Sequence, residues 1–318
     1  MFRLKLNCII NASFAFLIIS GIAFTVNHLT YQYPGNNYFP PNTLLIEATL
    51  LLMYAGFYLQ YGLNSKITRI MQEIIFFFLV MTVMIVATNA AQYTPFATID
   101  KQLIAWEAWL PFDVKSVMDW TYTHPLIKTY FETIYLSLTY QMTYLPLFVI
   151  ILGRTTLIRE YYFLLLITAL LGYGFYYFFP TTAPASIIDS PHFSDIQQAT
   201  GLKFNQIHHH IKPTTLEGGM IAFPSFHIIW AWLCVYLLRH WPVAFVLMLL
   251  INLSLALSCV MLGWHYPIDA LGSIIVIIMG HSLYAVCKKH HLSERTLSKS
   301  LSTAANRHPA KARRFSTI

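Results

Sequence analysis

Two short stretches carry residue types that could do chemistry: AFPSFHIIW at 222–230 and GWHYPIDALGS at 263–273. Pro224 presets a helix start and Ser225 stands where a helix is capped. The free amides and positive dipole end of such a helix receive an anion such as phosphate. His227 falls on the first turn, placed to protonate a leaving group beside that anion. His265 precedes Asp269 by four residues, with Pro267 opening the next helix. A carboxylate at that spacing accepts from one imidazole nitrogen and leaves the other free to attack. Together these side chains supply a nucleophile, a general acid/base and a tautomer lock, the division of labour of hydrolase triads. Any one of these histidines alone is more readily a helix cap or a headgroup contact, so the combination carries the reading.

The elements that must position them follow from composition. The 318 residues include 20 Lys+Arg and 13 Asp+Glu, only 10% charged, against roughly 25% in soluble domains. Hydrophobic residues make up 57% and mean hydropathy is +0.56. A soluble enzyme, a disordered chain and a disulfide-stapled secreted domain are poor fits. The 16% aromatic content suits rings gathered at lipid–water interfaces. Eight apolar segments are long enough to cross the bilayer, at about 8–27, 42–63, 70–91, 126–152, 161–179, 223–240, 242–262 and 268–287. Lipid offers backbone amides no partners, so the fold class is all-α, a polytopic membrane helix bundle. The first segment follows Arg3 and Lys5 as a signal peptide does. Its apolar run is longer than a signal core, no A-x-A site follows, and it reads as a retained helix. Cys8, Cys234, Cys259 and Cys287 lie in or beside apolar runs without short spacing, and read as small buried hydrophobes, neither disulfide nor metal ligands.

Charge orients the bundle. With both termini cytoplasmic, 15 of the 20 Lys/Arg fall on the inner face, and Lys101, Lys115, Lys128, Lys203 and Lys212 fall outside. The net +7 therefore reports topology and implies no nucleic-acid partner. The sixth segment then starts outside, the seventh ends outside and the eighth starts outside. His227, His265 and Asp269 meet at the extracytoplasmic leaflet, periplasmic or lumenal.

The chain divides into N-terminal membrane helices with an interfacial segment (1–124), a catalytic membrane core (125–287) and a basic, disordered tail (288–318). Within the first part, 92–125 carries Trp106, Trp109, Trp120 and Pro111 and reads as amphipathic helix at the interface. Residues 180–222 form a polar loop too long for a mere connector. Gly218 and Gly219 are a hinge or an ordinary turn. The run His208, His209 and His210, with His192, suits phosphate contact or solvation better than a metal, since consecutive histidines cannot all face one ion. Glu132, Tyr140, Gln141 and Tyr144 read as interhelical hydrogen bonding, with headgroup contact as the alternative.

The paired motifs, FPSFH and then H-xxx-D about 38 residues on, resemble those of the type 2 phosphatidic acid phosphatase (lipid phosphate phosphatase) superfamily, over about residues 125–287. Phe226 in place of Gly, the His265–Tyr266–Asp269 form and the upstream FFPTTAP at 178–184 are similar to the inositol phosphorylceramide synthase branch. The resemblance implies that His265 attacks phosphorus to give a phosphohistidine, Asp269 orients it, and His227 protonates the departing alcohol and then deprotonates the acceptor. Pro224, Ser225 and Tyr266 would line the phosphate site, with no metal or other cofactor. The implied partners are a phospholipid or sphingolipid in the bilayer and an alcohol acceptor such as inositol or diacylglycerol. Ser258 matches the family's serine, but Cys259 replaces its phosphate-binding arginine, and no K-xxxxxx-R-P element is present. Lys203, Lys212 and the histidines of 180–222 are the candidate cations. Lipid headgroup transfer is favoured over lipid phosphate hydrolysis. The rivals are a lipid transporter, which predicts polar residues midway through several spans, and a membrane protein keeping the motif without turnover.

Overall fold

The computed structural model describes residues 2–109 and 113–307, with side chains over 6–109 and 113–289. Among the described residues the chain is helical: α1 (Phe2–Val26), α2 (Thr43–Tyr61), α3 (Lys66–Ala91), α4 (Asp100–Glu107), α5 (Val114–Tyr122), α6 (Pro125–Ile151), α7 (Thr155–Phe178), α8 (Asp195–His208), α9 (Phe226–Leu237), α10 (Pro242–Met261) and α11 (Pro267–Arg307). Seven stretches are long and apolar enough to cross a membrane, and they match seven of the eight expected spans. The protein is a polytopic membrane helix bundle.

The expected span at 223–240 is different. Its helix α9 has twelve residues, roughly 18 Å at 1.5 Å per residue, against ~30 Å of hydrocarbon. The Phe223–Pro224 bond is cis, and 221–225 is non-helical, with bends at 223 and 224 and Ser225 extended. Buried residues occur all around α9, from Phe226 and Ile229 to Cys234 and Leu237. It is a central helix, packed by α6, α7, α10 and α11. Non-helical backbone at this depth is tolerated only where protein surrounds it, and Ala222, Pro224 and Ser225 are all buried.

Two further expectations are corrected. Cys8 and Cys287 form a disulfide across 279 residues. Spacing could not reveal it, because the pairing follows from α1 lying beside α11, while Cys234 and Cys259 are buried free thiols. The basic tail is not unstructured from 288. α11 continues to Arg307, since 288–307 contains neither Gly nor Pro to stop it and Pro309 comes only later. Residues 308–318 lie outside the described residues.

Over one end of the bundle, 92–124 and 180–222 build a cap. The first holds α4 and α5, with Trp106, Trp109 and Trp120 exposed; its residues 110–112, with Pro111, lie outside the described residues. The second is more ordered than a loop. Ser194 and Gln197 form a capping box that starts α8. Gly218 (φ +70°) makes a turn in which a Cβ would collide with Thr200.

Candidate active site

His227 stands on the first turn of α9, and His265 lies in the short link between α10 and α11. Their ring centroids are 5.6 Å apart. His265 Nδ1 is 3.0 Å from Asp269 Oδ2, and the same oxygen accepts from the Tyr266 amide at 3.0 Å. With the carboxylate holding Nδ1–H, the Nε2 lone pair is left for attack. His265 and Asp269 are 5% and 0% exposed. The Ala222 carbonyl lies beside the His265 ring and favours its protonated form, but burial outweighs it and brings the pKa down to about 4. Burial thus favours the neutral ring, the form of an imidazole that is able to attack.

Neighbouring elements hold this link in place. Trp264 and His265 both donate their amides to the Cys259 carbonyl at 2.9 Å. Gly263 turns the chain at φ +75°, and a Cβ there would lie 2.6 Å from Met118 Sδ of α5, so only glycine fits. Gln197 of α8, besides capping its own helix, donates to the Leu262 carbonyl at 2.8 Å. From α4, Glu107 Oε1 accepts from the Ile268 amide at 3.1 Å, and Asp100 Oδ1 accepts from Thr182 at 2.8 Å. Burial pushes the Glu107 carboxyl up to about 7. Ser273 donates to the Ser225 carbonyl at 2.9 Å and to the Asp269 carbonyl at 2.7 Å, locking α11 onto the start of α9.

The two helix starts in the site differ. At α11 the Tyr266 and Ile268 amides are already taken by carboxylates. At α9, Ser225 occupies the cap position in extended conformation, yet its side chain makes no cap bond. Its Oγ is buried without a partner oxygen or nitrogen, beside the Cys259 thiol. The uncapped end of α9 is therefore the place an anion would meet free amides and a hydroxyl. Pro224 is buried against it, and the Tyr266 hydroxyl is buried without a partner, within electrostatic reach of Asp100, Asp269 and Glu107.

The lysines expected to serve the phosphate are elsewhere. Lys203 is fully buried and donates to the carbonyls of Glu217 (2.5 Å) and Gly218 (3.0 Å), tying down the turn that leads into 222–225. Burial lowers its pKa to about 8. Lys212 lines a surface pocket with Gly35, Asn36, Asn89 and Tyr93. His208 meets the Tyr176 hydroxyl at 3.4 Å, His209 its own helix, His210 the rings of Tyr31 and Tyr33, and His192 stacks on Tyr122. Cys259, at the family's arginine position, is fully buried and donates to the Leu255 carbonyl. Gln141 accepts from Asn252 of α10 at 2.9 Å, an interhelical bond.

Sequence reasoning missed Tyr135, which stacks on His227 with centroids 4.4 Å apart, and Trp264, which stacks on Tyr135 at 5.2 Å. It also missed Gln197, Glu107 and Ser273. Only Gln197 left a local signal, the S-x-x-Q of Ser194 to Gln197.

A family model, the PAP2 superfamily, matches residues 101–283. The match takes in α4 and α5, ahead of where the motif resemblance begins, in keeping with the bond from Glu107 to the start of α11. No curated protein and no solved structure matches the chain.

Proposed function

Since this chain belongs to the PAP2 superfamily, of lipid phosphatases and phosphotransferases, we propose that it transfers a phosphoryl-linked headgroup between lipids in the manner of inositol phosphorylceramide synthases. The carrying observation is the buried His265–Asp269 pair, with the His227 ring centroid 5.6 Å from that of His265. In this reading His265 Nε2 attacks phosphorus, and the ester oxygen leaves as an alcohol with a proton from His227. The phosphohistidine is then attacked by an acceptor hydroxyl that His227 deprotonates, which restores both histidines. Asp269 keeps the tautomer and stabilises the imidazolium side of each step. Ser225, Pro224 and the first amides of α9 hold the phosphoryl oxygens, taking the part of the arginine that Cys259 replaces. Tyr266 offers a further hydroxyl. Lys203 supports this surface through the 217–218 turn, and Lys212 receives headgroups approaching over the cap.

The same intermediate attacked by water gives a lipid phosphate phosphatase, so the two readings divide on the acceptor. The donor is a phospholipid or sphingolipid, and inositol or diacylglycerol represents the acceptor class. The positive-inside distribution supports cytoplasmic termini and a site facing the periplasm or lumen. The deciding experiment uses purified protein in vesicles with labelled phosphatidic acid, phosphatidylinositol, phosphatidylethanolamine and phosphatidylcholine, with and without inositol, diacylglycerol or ceramide. Acceptor-dependent transfer that persists in chelator supports the proposal. Release of free phosphate at a rate no acceptor alters would replace it with the phosphatase.

A further inference from the structure

Among the described residues no hydrogen bond holds the His227 ring; a ring stack does. Tyr135 of α6 is nearly parallel to His227, at 21° and 4.4 Å, and to Trp264, at 9° and 5.2 Å. Trp264 directly precedes His265. One side chain from α6 is thus inserted between the segment that carries His227 and the segment that carries His265. It is 9% exposed and belongs to the buried core, so its ring plane is set by packing on both faces.

We propose that Tyr135 is a positioning residue for His227, fixing the tilt of the imidazole and its separation from His265 through the Trp264–Tyr135–His227 stack. Face-to-face packing resists tilting of the smaller ring while leaving its nitrogens free for proton transfer. The π-face of Tyr135 also favours an imidazolium over neutral imidazole, and the imidazolium is the form that protonates a leaving alkoxide. The ring performs both tasks and the hydroxyl performs neither. The inference rests on the general-acid role given to His227 above. It goes beyond that role by naming a residue outside both motifs on which the proton transfer depends.

The test separates positioning from packing by varying the leaving group. A lipid alkoxide needs a proton as it departs; p-nitrophenolate does not. First-turnover rates are measured for the fastest lipid of the panel and for the p-nitrophenyl ester of the same headgroup phosphate. Tyr135→Phe keeps the ring and is expected within about twofold of the parent on both. Tyr135→Leu keeps apolar volume but not the stack. It should slow the lipid about 10–100-fold, the scale of a misplaced proton donor, and the p-nitrophenyl ester less than about threefold. His227→Ala should show the same contrast, enlarged. If Tyr135→Leu does not yield folded protein, Trp264→Leu frees the other face of Tyr135 and should give a milder form of the contrast. Equal slowing of both esters by Tyr135→Leu, or by Trp264→Leu in its place, while His227→Ala keeps the contrast, would reduce Tyr135 to packing and overturn the proposal. No contrast in His227→Ala would remove the general-acid reading and the proposal with it.

Discussion

The two ends of the helix bundle treat buried charge in opposite ways. At the end opposite the cap, acids are matched to arginines: Arg159 Nε reaches Glu73 at 2.9 Å with both side chains buried. Arg239 reaches Glu160 at 2.7 Å. Tyr236 adds a bond to Glu160 at 2.8 Å, and Trp232 donates to His281 at 2.9 Å. Under the cap, among the described residues, Asp100, Glu107 and Asp269 make no ion pair with lysine or arginine. They accept from backbone amides and from His265. A buried ion pair is costly to break and has little capacity to do chemistry. A buried imidazole with an orienting carboxylate and an open nitrogen does. The end with matched charges fits a structural role, and the end with unmatched ones is where the proposed reaction puts its proton and phosphoryl transfers.

Substitutions at the two ends should therefore separate activity from stability. The largest loss is expected for His265→Ala, which removes the attacking nitrogen. Turnover of the labelled lipid should fall to background, while size-exclusion behaviour in detergent stays that of the parent. His227→Ala should follow with a loss of about 10²–10⁴-fold in kcat, the range for a missing general acid/base. Asp269→Asn keeps the shape but loses the charge that holds Nδ1–H. A loss of up to about 10⁴-fold is expected, as when the carboxylate orienting a triad imidazole becomes an amide. If Asp269→Asn cost nothing, the carboxylate would be only a helix cap.

At the other end, Arg159→Met leaves Glu73 buried without its arginine. It should lower stability by about 3–5 kcal/mol, read as earlier thermal inactivation, with turnover per folded molecule unchanged. A large loss of turnover in folded Arg159→Met protein would erase the distinction between the ends. The smallest effect is one of pH. The His265 pKa lies near 4, below its ordinary value, and the neutral form attacks. Hence the limb of kcat/KM that reports loss of the nucleophile should lie near pH 4, whereas an unshifted histidine would place it near 6.5.

The parts legible in the sequence were those set by local pattern. Hydropathy alone placed the long spans, because lipid forces backbone bonds to close within each helix. Topology brought His227, His265 and Asp269 to one end, and an i to i+4 spacing placed the carboxylate of Asp269 on His265. What was illegible depends on helices that are neighbours in space only. The Cys8–Cys287 bridge, the Tyr135 stack and the reach of Glu107 to Ile268 span 279, 92 and 161 residues. Lys203 looked like a phosphate ligand because it is a cation on the expected face. Its chain is drawn inward by the carbonyls of Glu217 and Gly218, which no composition reveals. The short α9 was hidden because the apolar run continues back through Pro224, ahead of the helix start at Phe226.

The central claim, that His265 carries the phosphoryl group, is tested most directly by trapping it. Protein mixed with a lipid donor labelled in the headgroup phosphate, quenched within one turnover and digested, should yield an acid-labile, base-stable label on the peptide containing His265. Adding acceptor should discharge it, and His265→Ala protein should not acquire it. Undiminished turnover in His265→Ala protein, or label on a different residue, would contradict the account.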